Sequence, residues 1–282
     1  MTLLRMCKNL PARMPPSLTV GNNALSVFVS KNAAAGVGLN LCGARLISLA
    51  TNDLSTMSAV SNTFENVKAV ILSAHKSTTP REKVNFYNSW AGNYDQDVAV
   101  LDYRAPALAA NCISSHFSGA PEAAVVLDVA CGTGLVAKQM KQRGFGRFLG
   151  VDGSDAMLQV ARRSGLYRDL KQCLLGEEPL PSQWGLCDVV VVVGALSVGQ
   201  VPVGAVRHFC RATKPGGIIC MTTRSNQDNL EYKATLEREL RQMEQEGLWA
   251  CVEVAEEKDW ERAVSEQEVG YISGAVYLYK KL

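Results

Sequence analysis

The segment 125–134, VVLDVACGTG, joins a strand-like apolar run to a turn built on Gly132 and Gly134, and a helix-forming stretch, LVAKQM, follows it. A turn without Cβ atoms at those two positions lets backbone N–H groups and a helix N-terminus approach a ligand closely. Asp128 stands near the carboxyl end of the strand. The dinucleotide fingerprint G-x-G-x-x-G needs a third glycine three residues past the second. Counted from Gly132 that position is Ala137, and counted from Ala130 it is Leu135. A pyrophosphate is therefore poorly served, and the remaining pattern, D-x-A-x-G-x-G, suits a cofactor that lacks one. Asp152 follows in GVDGSDAML at the end of the next apolar run. A carboxylate there accepts hydrogen bonds from the vicinal hydroxyls of a ribose. The same residues also fit a plain turn at Asp152-Gly153, with Ser154 or Asp155 capping a helix over 156–163. The two readings are compatible.

The elements that must position these residues alternate regularly. Strand-like runs are expected at 125–130, 148–151, 172–175, 187–193, 217–222, 251–255 and 275–280. The first five are separated by helix-length segments, the signature of a parallel sheet covered on both faces. The last two lack an intervening helix and fit an antiparallel edge hairpin. The fold class is therefore α/β: a Rossmann-like, seven-stranded, mostly parallel sheet with helices on both faces. Ahead of it, Val67, Val70, Ile71 and Ala74 fall at helical spacing. Thr79-Pro80 opens a second helix through Trp90. Residues 95–112 read as a further helix broken near Pro106. The expected organisation is an N-terminal extension (1–56), a helical cap (57–120) and a catalytic domain (121–282).

The extension carries Arg5, Lys8, Arg13, Lys31 and Arg45 and no acidic residue before Asp53. A mitochondrial transit peptide, a disordered extension, and an upstream stretch preceding a natural start at Met57 all fit that composition. The chain is expected to be intracellular and cytoplasmic, with mitochondrial targeting as the alternative the N-terminus leaves open.

A formal net charge of +2 over 282 residues argues against a dominant attraction to nucleic acid or an anionic membrane. No apolar run long enough to span a bilayer occurs. Nine cysteines without any C-x-x-C pair read as small hydrophobes of a reduced protein. His75, His116 and His208 are too scattered to form a ligand pair, so no metal site is expected.

Taken together, the D-x-A-C-G-T-G loop, the acid in GVDGS, the third-strand turn, the fourth-strand end and the K-P-G-G turn resemble the class I S-adenosylmethionine-dependent methyltransferases over residues 83–282. The segments FYNSWAGNYDQDVAVLDYRAP, VGALSVGQVP and TKPGGIICMTTR are similar to the methyltransferase-like proteins of the Williams–Beuren region. The resemblance implies S-adenosyl-L-methionine as cofactor, held by the loop residues Ala130, Cys131, Gly132 and Gly134. It implies that Asp128 orders the loop and meets the amino group through water, and that Asp152 takes the ribose hydroxyls. Gly153 and Ser154 line the adenine edge, and Gly176-Glu177 contacts the adenine amine, with Glu178 as fallback. Gly194 to Leu196 faces the methionine chain. Tyr87, Trp90 and Tyr94 match a helix that caps the cofactor in many members, yet their spacing of three and four residues fits core packing equally. Arg104 is a candidate clamp for the cofactor carboxylate, or a solvated surface charge.

The implied partner is a small-molecule or protein methyl acceptor. The fourth-strand end lacks the Asn/Asp-Pro-Pro-aromatic run of enzymes that methylate base amines or glutamine amides. No catalytic base is evident; His208 is assigned to surface or core. The charged helix over 229–246 is either solvent-facing or a wall of the acceptor pocket. A cofactor-binding but inactive partner subunit, and a nicotinamide oxidoreductase disfavoured by the missing glycine, are the competing readings. Oligomeric state is not legible.

Overall fold

The computed structural model describes residues 63–74, 79–265 and 267–282. The expectations for residues 1–56, and His75, lie outside these.

Seven strands form one sheet in the order β3-β2-β1-β4-β5-β7-β6. They are β1 (Val125–Val129), β2 (Arg147–Asp152), β3 (Tyr167–Gln172), β4 (Cys187–Val192), β5 (Thr213–Arg224), β6 (Trp249–Arg262) and β7 (Tyr271–Lys281). The first five run parallel, while β7 is antiparallel to both β5 and β6. β1 and β4 are central because they are apolar on both faces: Val190 and Val192 point into one core layer, Val189 and Val191 into the other. Strand order reverses between β1 and β4, which opens a crevice at their carboxyl ends.

Eight helices surround this sheet in the described residues: α1 (Phe64–Ala74), α2 (Pro80–Trp90), α3 (Tyr94–Val100), α4 (Ala105–His116), α5 (Leu135–Lys141), α6 (Asp155–Arg163), α7 (Val206–Ala212) and α8 (Leu230–Gln245). Ala109 and Ile113 of α4 and Met140 of α5 pack with Val189 and Val191. Phe209 of α7 and Leu236 and Leu240 of α8 pack with Val190 and Val192. α8 thus buries one face and leaves its charged face to solvent.

Several boundaries depart from expectation. The third strand lies at Tyr167–Gln172 rather than 172–175. It is a polar edge strand, defined by backbone pairing to β2 and not by apolar content. The apolar Cys173-Leu174-Leu175 continues past it as loop, anchored by Cys173 N donating to Asp152 O at 3.0 Å. The helix break falls at residues 101–104, before Pro106. Asp102 turns there with a φ of +53°, and Pro106 sits in the first turn of α4, where its missing N–H costs nothing. Strands β5, β6 and β7 also run longer than expected, and the K-P-G-G turn is a bulge inside β5: pairing jumps from Cys187–Thr213 to Val189–Ile218.

The seven described cysteines are free thiols. No helix among the described residues is long and apolar enough to cross a membrane.

Trp249 is fully buried, donates its indole N–H to Leu240 O at 3.1 Å and packs 4.6 Å from the Tyr279 ring. Trp249→Ala is expected to lower stability by about 3–5 kcal/mol, the range for large core truncations. Urea unfolding measures it, and a loss below about 1 kcal/mol contradicts the assigned packing.

Candidate functional site

The site begins where β1 ends. Ala130, Gly132 and Gly134 all take positive φ, at +55°, +54° and +92°. A non-glycine residue in the left-handed region is strained, and such strain persists only where surroundings hold it. Here the hold is a carboxylate. Asp152, at the end of β2, accepts from Gly132 N through Oδ2 at 2.9 Å and from Ser154 N through Oδ1 at 2.8 Å. One side chain thereby joins the glycine loop to the turn that starts α6. Burial raises the Asp152 pKa, and the N–H groups of Ser154, Gly132 and Gly153 oppose the rise. Gly132 and Ser154 thus approach opposite oxygens of one carboxylate, with the Gly153 N–H beside them.

Ser154 serves as the N-cap of α6: its Oγ accepts from Met157 N at 3.2 Å and donates to Asn88 Oδ1 at 2.6 Å. Asn88 lies on α2, so the cap of one helix ties down another. α2 starts with a reciprocal capping box, Glu82 N to Thr79 Oγ1 at 3.2 Å and Thr79 N to Glu82 Oε2 at 2.9 Å. α3 is latched to the loop by Asp95, which accepts from the Thr133 hydroxyl and pairs with Lys138 Nζ at 2.8 Å. Tyr87, Trp90 and Tyr94 form a continuous aromatic row, with ring centroids 6.1 Å and 4.8 Å apart. Burial pushes the Tyr87 phenol up to about 12.

These elements enclose a cavity of about 360 Å³ at the carboxyl ends of β1, β2 and β4. That is within the size range of small-molecule sites. Tyr94, Ala130, Gly132, Asp152, Gly153, Ser154, Gly176, Glu177 and Gly194 of the expected set line it, together with Tyr87. A Cβ added at Gly132 meets no protein atom within 4 Å, so that position borders open space. Gly194 has a different need: a Cβ there collides with the Tyr103 hydroxyl. Leu196 lines a smaller adjoining recess of about 90 Å³, bounded also by Tyr103, Arg224, Trp260 and Glu261. Tyr87, Tyr94, Gly194 and Gln200 border both spaces.

The remaining expected residues lie elsewhere. Gly134 packs against the Tyr167 ring, 3.1 Å from where its Cβ would be. Cys131 is buried under Gly150. Glu178 turns back to accept from Leu174 N at 2.8 Å. Arg104 reaches away from the cavity to Asp259 O at 3.1 Å, because the break after α3 sets it beside β6. His208 is on α7, outside the cavity. Asp128 is behind the loop and accepts from the Tyr167 hydroxyl at 2.6 Å, while its Oδ1 is buried without a partner. Sequence reasoning missed Leu174 and Leu175, which it had placed in a strand, and Met157, Lys83 and Pro202 on the cavity wall. It also missed a trio away from the cavity. Cys112 Sγ donates to Glu253 Oε2 at 3.3 Å, and His116 Nδ1 faces the same oxygen at 3.5 Å.

A methyltransferase domain model matches residues 127–221, from β1 through β5. Methyltransferase-like protein 27 of Homo sapiens is 51% identical over 183 residues, covering 65% of this chain and 74% of that relative. This chain belongs to the class I S-adenosylmethionine-dependent methyltransferases. Ubiquinone biosynthesis O-methyltransferase of Pseudomonas paraeruginosa is 35% identical over 102 residues, 35% of this chain and 43% of that protein. The chain thus spans less than half of that more distant relative. Among solved structures, a chain from the complex between the Haloferax volcanii Trm112 methyltransferase activator and a methyltransferase matches with a TM-score of 0.51. It is 18% identical and covers 69% of this chain and 97% of its own. That likeness shows the methyltransferase fold.

The pKa of Asp128 is raised to about 7: burial raises it, the Tyr167 hydrogen bond lowers it, and the charge on Asp152 raises it. The unfolded value is about 3.9. A raised folded-state pKa means that the contribution of Asp128 is complete below about pH 4 and is lost as pH rises through about 7. Between pH 5 and 8 the methyltransferase is expected to lose on the order of 2 kcal/mol relative to its Asp128→Asn variant. Parallel stability curves in urea at those pH values contradict the buried, ionisable Asp128.

Proposed function

We propose that the 360 Å³ cavity binds S-adenosyl-L-methionine and that the chain transfers its methyl group to a small-molecule or protein acceptor. The observation that carries this reading is the Asp152 carboxylate. It bridges the glycine loop and the α6 turn and borders the cavity. Vicinal ribose hydroxyls match that arrangement. The cradle at Gly132 fits the same ligand, since a side chain there fills the space a cofactor would use. Met157, Leu174 and Leu175 supply an apolar wall for an adenine, and Glu177 supplies an acceptor at its edge.

The cofactor supplies a methyl group already activated on a sulfonium. What is left to the protein is orientation and exclusion of water. Gly194, fixed by its N–H to Thr222 Oγ1 at 3.1 Å, and the aromatic pair Tyr87 and Tyr94 stand between the cavity and the smaller recess. They are placed to align an acceptor with the donor.

Asp152→Ala is expected to weaken binding of S-adenosylhomocysteine by about 1.5–3 kcal/mol, the range for hydrogen bonds to a charged group. Calorimetry that finds unchanged affinity removes Asp152 from the site. Gly132→Val is expected to abolish binding, because the side chain fills the cradle and the left-handed backbone disfavours it.

S-adenosylhomocysteine at a hundredfold excess over its Kd should stabilise the protein by about 2.7 kcal/mol in a thermal scan. NAD should give no shift. The reverse order overturns the cofactor assignment.

A further inference from the structure

The small recess holds an acid and a guanidinium that form no side-chain hydrogen bond or ion pair with the described residues. Its back wall is made by a bulge in β6. Pairing between β6 and β7 shifts between Glu257 and Glu261, and Asp259 takes a φ of +52°. Arg104 fastens the bulge: its N–H donates to Trp260 O at 3.0 Å and its Nη1 to Asp259 O at 3.1 Å. Trp260 is buried over Gly274, where any Cβ would meet the indole ring. Trp260 and the next residue, Glu261, both line the recess. Bulges re-aim side chains in this way.

Arg224, at the end of β5, lines the same space. Among the described residues, no hydrogen bond or ion pair engages the Glu261 carboxylate or the Arg224 guanidinium, and the two do not pair with each other. Burial holds the Glu261 carboxyl above its usual range, and Arg224 opposes the shift. Besides Arg224 from β5, the titratable groups facing Glu261 are Tyr87 from α2, Tyr94 from α3 and Tyr103 from the segment before α4. Both side chains are half-buried, and an acid and a guanidinium that face one recess without pairing offer matching sites to a ligand that carries both signs of charge.

We propose that this recess is the acceptor subsite and that the acceptor is a small zwitterion, its amine held by Glu261 and its anionic group by Arg224. The inference rests on the reading of the larger cavity as the cofactor site. The size agrees: about 90 Å³ holds on the order of half a dozen water-sized positions, enough for a molecule of free amino-acid size. The aromatic walls from Tyr87, Trp90 and Tyr94 suit an ammonium group. In the reaction the ammonium gives one proton to the Glu261 carboxylate. The freed nitrogen lone pair then forms the N–C bond as the donor S–C bond breaks, and that bonding pair stays on sulfur. The methylated ammonium and a protonated Glu261 result, and the proton on Glu261 passes to solvent.

The test titrates glycine, β-alanine and γ-aminobutyrate into the full chain saturated with S-adenosylhomocysteine. Butylamine, butyrate and catechol are the controls. At least one zwitterion should bind about tenfold or more tightly than every control, and Glu261→Gln and Arg224→Met should each weaken it by about tenfold or more. Neither variant should shift S-adenosylhomocysteine affinity by more than about twofold, well under the loss of one charged hydrogen bond. With methyl-labelled cofactor the label should appear on the zwitterion's nitrogen. Glu261→Gln should slow transfer on the order of 100-fold at neutral pH and recover partly above about pH 9, where free amine exists without a base. The proposal is overturned if no zwitterion binds to the saturated protein, if butylamine or catechol binds as well, or if the variants match the wild type. Loss of S-adenosylhomocysteine affinity in Glu261→Gln instead assigns the recess to the cofactor. Failure of S-adenosylhomocysteine to bind the wild type overturns the cavity reading and this inference with it.

Discussion

The Asp152 carboxylate is the contact on which the site depends. Parallel pairing of β1 with β2 brings their carboxyl ends side by side, Val129 opposite Val151. The two turns that leave those ends each present an unpaired backbone N–H. Asp152 accepts both, from Gly132 and from Ser154. Charge-assisted hydrogen bonds of this kind are roughly twice as strong as neutral ones. They hold Ala130 and Gly132 in left-handed backbone and start α6 in the right direction. The carboxylate therefore holds the local backbone and borders the cavity at once.

The helices over the cavity are held by polar latches together with the Tyr87, Trp90 and Tyr94 row. α2 has no fully buried residue; Asn88 joins it to the α6 cap. α3 is tied to the loop through Asp95, Thr133 and Lys138. Elements with few buried apolar contacts open at a lower free energy than core strands. The sheet below them has β1 and β4 buried almost throughout. A rigid floor and a lightly held cover suit a site that must admit two reactants and release two products.

Arg104 shows how the chain alone leaves two readings of one side chain open, a carboxylate clamp or a surface charge. In sequence it stands beside Tyr103, close to residues that border the cavity, and a guanidinium suits a carboxylate ligand. In the fold its donors go to the carbonyls of a β6 bulge. Its effect on the site is then indirect: the bulge it holds carries Trp260 and Glu261 into the recess.

Much of this protein was legible in its residues. Continuous apolar runs marked β1 and β4, because a central parallel strand is buried on both faces. Positive backbone angles at Gly132 and Gly134 follow from a turn that only glycine fills easily, and Thr79-Pro80 announced the start of α2. Ser154 proved to be the helix cap that the sequence offered as one reading of GVDGS. The third strand was misplaced because YRDLKQ earns its place by edge pairing alone, which leaves no apolar period. The tertiary structure alone decided which polar groups share a cavity. Glu261 and Arg224 are 37 positions apart in sequence and lie on strands separated by β7. Local periodicity reports which face of an element is buried; it carries no record of which distant carboxylate and guanidinium the sheet order and a bulge bring to one wall.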